Sequence, residues 1–296
     1  MQPLIQQLIA NGPVVTDGAW GTELQRRGLA GGEAPDGWNL THPDTVAEVA
    51  LAYVEAGSQI ILTNTFGANR VRLPEFAEAG QIRELNRRGV EISRGAAHGR
   101  ARVFASIGPS GKMLLAGDVD PEELRHAFEE QASALAEASA DALVVETMGD
   151  LEEAKLAVAA ARATGLPVVA CMVFDSGRDK DRTLMGVTPE QVAAELTEAG
   201  ADVVGANCGH GIAKLVAICR RLKSATNVPV WIKPNAGLPE IENGRVVYRT
   251  TPEDFASFGP ALVEAGASFI GGCCGTDPSF IRALKAQMPG KVAASP

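Results

Sequence analysis

HPDTVAEVALAYVEAGSQIILTNT, residues 42–65, contains one helix followed by one strand. The first sixteen residues (42–57) open with Pro43 and an acid and close on Gly57, the start and stop signals of a helix. QIILTNT (59–65) is a short, β-rich apolar run that ends in polar residues, as a strand entering a loop does.

Outward from this stretch the unit recurs eight times. The other strands expected are VVTD (14–17), VFASIGP (103–109), ALVVETM (142–148), VVACMVF (168–174), VVGANCG (203–209), VWIKPNA (230–236) and FIGGCCG (269–275). Such near-continuous apolar runs suit parallel strands covered on both faces. Helices are expected over 188–200, 251–266 and 277–288, each opening with Thr or Asp followed by Pro. Residues 1–12 read as a short amphipathic helix. Eight strand–helix units predict α/β architecture, a single (β/α)8 TIM barrel over residues 1–296. The competing doubly wound sheet would carry G-x-G-x-x-G after its first strand, and DGAWGTEL does not.

In such a barrel, chemistry belongs to the C-terminal ends of the strands. The polar residues there are Asp17, Thr63, Asn64, Thr65, Ser106, Glu146, Thr147, Asn207, Cys208, Lys233, Asn235, Cys273 and Cys274. Strands 6 and 8 lie two apart around the ring, so Cys208 can face Cys273 and Cys274. Adjacent cysteines on a straight strand would point to opposite faces. Gly271, Gly272 and Gly275 are expected to bend the chain until both sulfurs converge. Three thiolates suit Zn²⁺, and three protein ligands with an open fourth position make the catalytic arrangement. Cys171 in mid-strand and Cys219 in mid-helix read as buried small apolar residues. A strained vicinal disulfide between Cys273 and Cys274 is the other reading of that pair.

Zn²⁺ with three thiolates carries a net charge of −1. It is a weak Lewis acid, better suited to holding a fourth sulfur as a nucleophile. A free thiol with pKa near ~8.5 is about 3% ionised at pH 7. Full deprotonation on the metal is therefore worth roughly 30-fold, or about 2 kcal/mol. The chemistry this fits is thiolate attack on an activated methyl or other alkyl group. If the thiol belongs to an amino acid, Glu146 and Asp17 are the expected partners of its ammonium: Glu146 because a lone carboxylate after an apolar strand is costly to bury, whereas Asp17 also reads as a turn or helix-cap residue. The backbone N–H groups of Gly18 to Gly21 are expected to receive its carboxylate.

Apolar content of 46% supports a sizeable core, and the net charge of −9 contains no basic stripe for nucleic acid. No apolar stretch approaches the ~18 residues of a membrane span. The N-terminus has no Lys or Arg before Arg26, unlike a secretory signal. Five cysteines, an odd number, argue against a disulfide framework, so a cytoplasmic protein is expected.

TDGAWGTEL, LTNTFGAN, VVETM, GANCG, KPNAG and IGGCCGT, in this order, resemble the homocysteine S-methyltransferase family. That family includes the betaine–homocysteine methyltransferases and the homocysteine domain of cobalamin-dependent methionine synthase. The resemblance covers residues 10–290. It implies zinc on Cys208, Cys273 and Cys274, and a homocysteine ammonium held by Asp17 and Glu146. Asn235 matches the asparagine that can take the open zinc position before substrate arrives. The tyrosine that does so in the animal betaine enzymes corresponds here to Gly67. Gly18, Thr63 and Asn64 fall among the substrate-binding motifs. Trp20 stands where a smaller residue or Met or Phe is usual, and its ring could face a cationic methyl donor or simply pack. Within these 296 residues the resemblance does not extend to folate, cobalamin or activation domains, nor to a C-terminal oligomerisation arm.

Several functional readings follow. The first is methylation of homocysteine to methionine with a small donor such as betaine or S-methylmethionine. The second takes the methyl group from a separate methylcorrinoid protein. A third, of another class, is a phosphate-binding barrel aldolase or lyase with Lys233 as the Schiff-base lysine and the cysteines incidental. A metal or thiol carrier without turnover is a fourth. A homo-oligomer is compatible with all of them.

Overall fold

Val14 and Val15 on the first strand pair in parallel with Phe269 and Ile270 on the last, and this pairing makes the sheet a ring. The computed structural model describes residues 2–77, 80–242 and 245–288. Its barrel strands are β1 (Val14–Val15), β2 (Ile60–Ile61), β3 (Arg102–Ile107), β4 (Ala142–Met148), β5 (Val168–Met172), β6 (Val203–Cys208), β7 (Val230–Pro234) and β8 (Ala267–Ile270). All neighbours are parallel, in the order β1-β8-β7-β6-β5-β4-β3-β2. A bridge between Thr16 and Ile60 joins β1 to β2 and closes the barrel. The (β/α)8 barrel is therefore the fold. Met1 and 289–296, the ends of the expected domain, lie outside the described residues.

Alternation along the strands divides the side chains into two sets. Val14, Ile60, Leu62, Phe104, Val144, Val169, Cys171, Val203, Trp231 and Phe269 fill the interior. Trp231 lies between Phe104 and Phe269, with ring centroids 6.1 and 5.2 Å away. Gly205 makes room for it, since a Cβ there would sit 2.1 Å from the Trp231 carbonyl oxygen. The helix Pro3–Ile9 closes the N-terminal end of the barrel. Its Ile5 enters the interior cluster, and the Gln2 backbone N–H donates to Asp202, just ahead of β6. The opposite parity packs against the helices in one large apolar cluster.

The same alternation sets the polar layer above the apolar one. Two residues beyond Phe104, Val144, Val203, Trp231 and Phe269 come Ser106, Glu146, Gly205, Lys233 and Gly271, and two further along come Asn207, Asn235 and Cys273.

Four elements differ most from expectation. β1 and β2 keep only two residues each, because TDG and TNT leave the sheet at once. β8 ends at Ile270, so the paired cysteines sit in the loop after it. The helix expected over 251–266 is two, Pro252–Ser257 and Gly259–Glu264, because Pro260 lacks the N–H a continuous helix needs. The loop after β7 also carries an unexpected hairpin, Glu240–Glu242 with Arg245–Val247.

Candidate metal centre

Cys208 is the last residue of β6 and adopts a left-handed φ of 63°. That turn brings its sulfur over the barrel mouth, where plain alternation would have sent it outward. The Cys273–Cys274 turn is fixed by backbone bonds on two sides. Gly272 N–H donates to Asp17 O at 2.9 Å, Cys273 N–H to Pro234 O at 2.7 Å, and Ala236 N–H to Cys274 O at 2.9 Å. The glycines here act mainly by absence of bulk. A Cβ on Gly271 would lie 2.0 Å from Thr16 Oγ1, and one on Gly272 2.3 Å from Thr276 Oγ1. Only Gly275 needs a left-handed φ, of 83°.

Cys208 Sγ lies 3.4 Å from Cys273 Sγ and 3.7 Å from Cys274 Sγ, and all three sulfurs fall within 4.8 Å of one another. Sulfurs around a tetrahedral zinc at ~2.3 Å are about 3.8 Å apart. The donor set therefore fits zinc in both chemistry and spacing. Protons are shared within it: Cys274 is held down to about 3 by hydrogen bonds from Cys208 first and Cys273 second. Cys208 is pushed up by its bonds to Cys273 and Cys274. All five cysteines are free thiols, so the vicinal disulfide is not formed. Cys171 and Cys219 are buried away from the trio, as expected.

Asn235, one residue past β7, donates through Nδ2 to Gly209 O at 3.0 Å, while its buried Oδ1 has no hydrogen-bond partner. An orphaned amide oxygen at the mouth is the kind of atom a cation would satisfy. Asn207 clamps the end of β4: its Oδ1 accepts from Thr147 N–H at 2.8 Å, and its Nδ2 donates to Thr147 Oγ1 at 2.6 Å.

Below the sulfurs lies a buried charge cluster. Glu146 accepts from Ser106 Oγ at 2.5 Å. Burial pushes its carboxyl up to about 7, against the pull of the Lys233 charge. Asp17 has three partners: Oδ1 meets Lys233 Nζ at 2.6 Å, and Oδ2 accepts from Leu62 N–H at 2.7 Å and from the Trp20 indole at 2.8 Å. Burial works against the Lys233 charge, but Asp17 and Glu146 outweigh it and hold the ammonium above its ordinary value. A Schiff-base lysine must lose that proton, so the aldolase reading of Lys233 is corrected: it is a paired cation.

The remaining expected contacts have partners within the fold. Asn64 Nδ2 donates to Pro35 O and Asn39 Oδ1. Thr63 Oγ1 bonds Thr65 Oγ1 and Ser106 N–H. Gly18 is a close-packing position, since a Cβ there would be 2.8 Å from the Tyr53 ring.

Sequence reasoning missed Tyr248, in the loop after β7. Its ring covers Gly275, where a Cβ would lie 2.3 Å away. Burial first, then the charge on Cys274, pushes its hydroxyl up to about 12. A lone aromatic in a loop on the C-terminal face was the available signal.

The family profile described as homocysteine S-methyltransferase matches residues 14–288, nearly the whole chain. The chain belongs to the homocysteine S-methyltransferase family. It is 33% identical to a methionine synthase of Mycobacterium leprae over 95% of its length, which is 24% of that protein. It is 28% identical to betaine–homocysteine S-methyltransferase 1 of Danio rerio, over 96% of this chain and 75% of that one. The metallated form of the homocysteine methyltransferase MmuM from Escherichia coli superposes with a TM-score of 0.81 at 25% identity, covering 97% of this chain and all of that one. This member of the homocysteine S-methyltransferase family thus spans about a quarter of the mycobacterial methionine synthases it matches. Among its described residues, no helix is long and apolar enough to cross a membrane.

Proposed function

We propose that the chain methylates the sulfur of homocysteine to give methionine, with Zn²⁺ held by Cys208, Cys273 and Cys274. The observation that carries this reading is the convergence of three sulfurs from β6 and the β8 loop within 4.8 Å. When bound, the ion would hold a substrate sulfur as a thiolate at neutral pH, the reactive form of a weakly acidic thiol.

The chain's own residues bind and orient. Glu146, fixed by Ser106, offers a carboxylate to the substrate ammonium, and its proton leaves as the ammonium arrives. Asn207 and Thr147 fix the backbone beside Glu146. Asn235 Oδ1 is a fourth donor available to the metal before substrate enters. Trp20, anchored through its indole N–H, lines the mouth with an aromatic face suited to a cationic methyl donor. The donor on this reading is a small onium compound such as betaine or S-methylmethionine. Thiols kept reduced call for the cytoplasm.

The match to the mycobacterial methionine synthases favours a second reading, in which a separate methylcorrinoid protein supplies the methyl group. Zinc-loaded protein incubated with homocysteine and single donors separates the two. Methionine formed with betaine or S-methylmethionine alone supports the first, and methionine formed only with a methylcorrinoid supports the second. No methionine with any donor, methylcobalamin and methylfolate included, rejects both.

A further inference from the structure

The loop after β2 carries an aromatic ring and a guanidinium into the barrel mouth. Along β3 the inward positions are Phe104, Ser106 and then Gly108, and a Cβ on Gly108 would lie 2.5 Å from the Phe66 ring. The ring therefore stands inside the mouth, one layer above the Ser106–Glu146 bond. By the same count Asn235 and Cys273 occupy that layer on the other side, since β3 stands opposite β7 in the ring of strands. The Arg72 guanidinium carbon lies 5.3 Å from the centre of the Phe66 ring, and Nη1 donates to Pro109 O at 2.8 Å. We propose that Arg72 receives the carboxylate of the methyl donor, so that onium donors carrying a carboxylate are preferred over those without one. The proposal rests on the small-donor reading above and adds the group that recognises the donor's unreactive end.

Three observations carry it. First, the loop is built to hold Arg72 in place. Asn69 Oδ1 accepts from Val71 N–H at 3.1 Å and from Arg72 N–H at 2.9 Å, and Asp36 Oδ1 accepts from Gly67 N–H at 2.8 Å. Gly67 leaves the path of the side chain open, since a Cβ there would lie 3.0 Å from Arg72 Cδ and Nε. Second, Arg72 has donors to spare. A guanidinium offers several N–H groups in a fork that matches a carboxylate. Among the described residues its side chain bonds only the neutral Pro109 O and forms no ion pair, whereas Arg70, two residues earlier, is paired with Glu130. Third, the chemistry separates the two ends of the donor. The onium end must meet the substrate sulfur beside Cys208, Cys273 and Cys274. Transfer breaks one C–N or C–S bond of the onium, leaves the electron pair on the donor heteroatom and releases a neutral amine or thioether. The carboxylate keeps its charge throughout, so a cation across the mouth holds donor and transition state alike, and its loss falls on KM.

The test uses zinc-loaded wild type, Arg72→Met and Arg72→Lys, with homocysteine as acceptor. The donors are dimethylsulfonioacetate and trimethylsulfonium, which offer the same methyl group and differ by the carboxylate. KM and kcat are measured for each donor, and zinc content and the calorimetric homocysteine Kd report on the rest of the site. Wild type is expected to favour the carboxylate-bearing donor. Arg72→Met should reduce that preference roughly tenfold through KM, about the worth of one charge-assisted hydrogen bond to an exposed cation. Arg72→Lys keeps the charge without the fork and should recover part of it. A general disturbance of the loop would slow both donors alike and leave their ratio unchanged. If trimethylsulfonium gives no turnover, inhibition by 3,3-dimethylbutanoate, an isostere of betaine without the onium charge, decides: its Ki should rise roughly tenfold in Arg72→Met. A donor ratio, or in that case a Ki, that is the same in wild type and Arg72→Met overturns the inference and leaves the functional reading standing. Methionine from no onium donor in any of the three proteins overturns the small-donor reading, and the inference falls with it.

Discussion

Ser106 Oγ donates to Glu146 Oε1 at 2.5 Å, joining neighbouring strands β3 and β4 inside the barrel. The bond favours the ionised carboxylate, whereas burial favours the neutral acid and prevails, leaving Glu146 titrating at about 7. An ammonium prefers the carboxylate. Homocysteine affinity is therefore expected to rise as pH rises through about 7 and to level off above it. Ser106→Ala removes the donor, so the rising limb should move to higher pH. Glu146→Gln should abolish that limb and weaken binding about 10- to 100-fold. Calorimetric Kd values across the pH range check all three. A limb that survives in Glu146→Gln belongs to another group.

Asn207 fixes a backbone conformation that its neighbour would not choose. Thr147 has φ of 62°, rare for a β-branched residue, and two hydrogen bonds from one Asn207 side chain hold it there. Asn207→Ala should cost about 2 kcal/mol of unfolding free energy. It should also raise the homocysteine KM, because Glu146 is the adjacent residue. Denaturant melts and steady-state kinetics check the two effects. A variant as stable as wild type would show that Thr147 holds its own geometry.

Gly271 lies where β8 turns toward the metal centre, and its constraint is space. A Cβ would meet Thr16 Oγ1 at 2.0 Å and the Asp17 carbonyl oxygen at 2.6 Å. Gly271→Ala should destabilise the fold by about 2 kcal/mol or more. Adding Thr16→Ala should restore only part of that, because the carbonyl contact remains. Thermal melts of the single and double variants check this ordering.

Much of the architecture was legible because β/α barrels write it twice, in apolar runs buried on both faces and in proline and glycine at the helix ends. The short β1 and β2 were overread because the polar residues after them, TDG and TNT, bend away without a breaker that the pattern reveals. The cysteines were legible as a set, since strand ends share one rim. The left-handed turn at Cys208 was not, because nothing in GANCG marks which residue carries positive φ. Asp17 was readable as an acid at the mouth but not as the buried partner of Lys233, 216 positions away. Long-range charge pairing leaves no local periodicity. Tyr248 escaped for a similar reason: its contact is with a turn that adjoins it only in the folded chain.

The three sulfurs at the mouth differ sharply from the two elsewhere, and substitution should separate them. Cys273 is pinned by its N–H bond to Pro234 O, and its Sγ lies 3.4 Å from Cys208 Sγ. Cys273→Ser replaces a soft thiolate with a hydroxyl that does not ionise at neutral pH, so zinc affinity should fall by more than about 100-fold and methyl transfer with it. The barrel should stay folded, because the pinning bond uses backbone atoms. Cys171, also inside the barrel but in the apolar layer, should behave otherwise. Cys171→Ala should keep the metal and most of the activity while losing about 1 kcal/mol of packing. Zinc content, circular dichroism and methionine formation on the two variants make the check. Equal metal loss from both would mean that the trio is not the binding site.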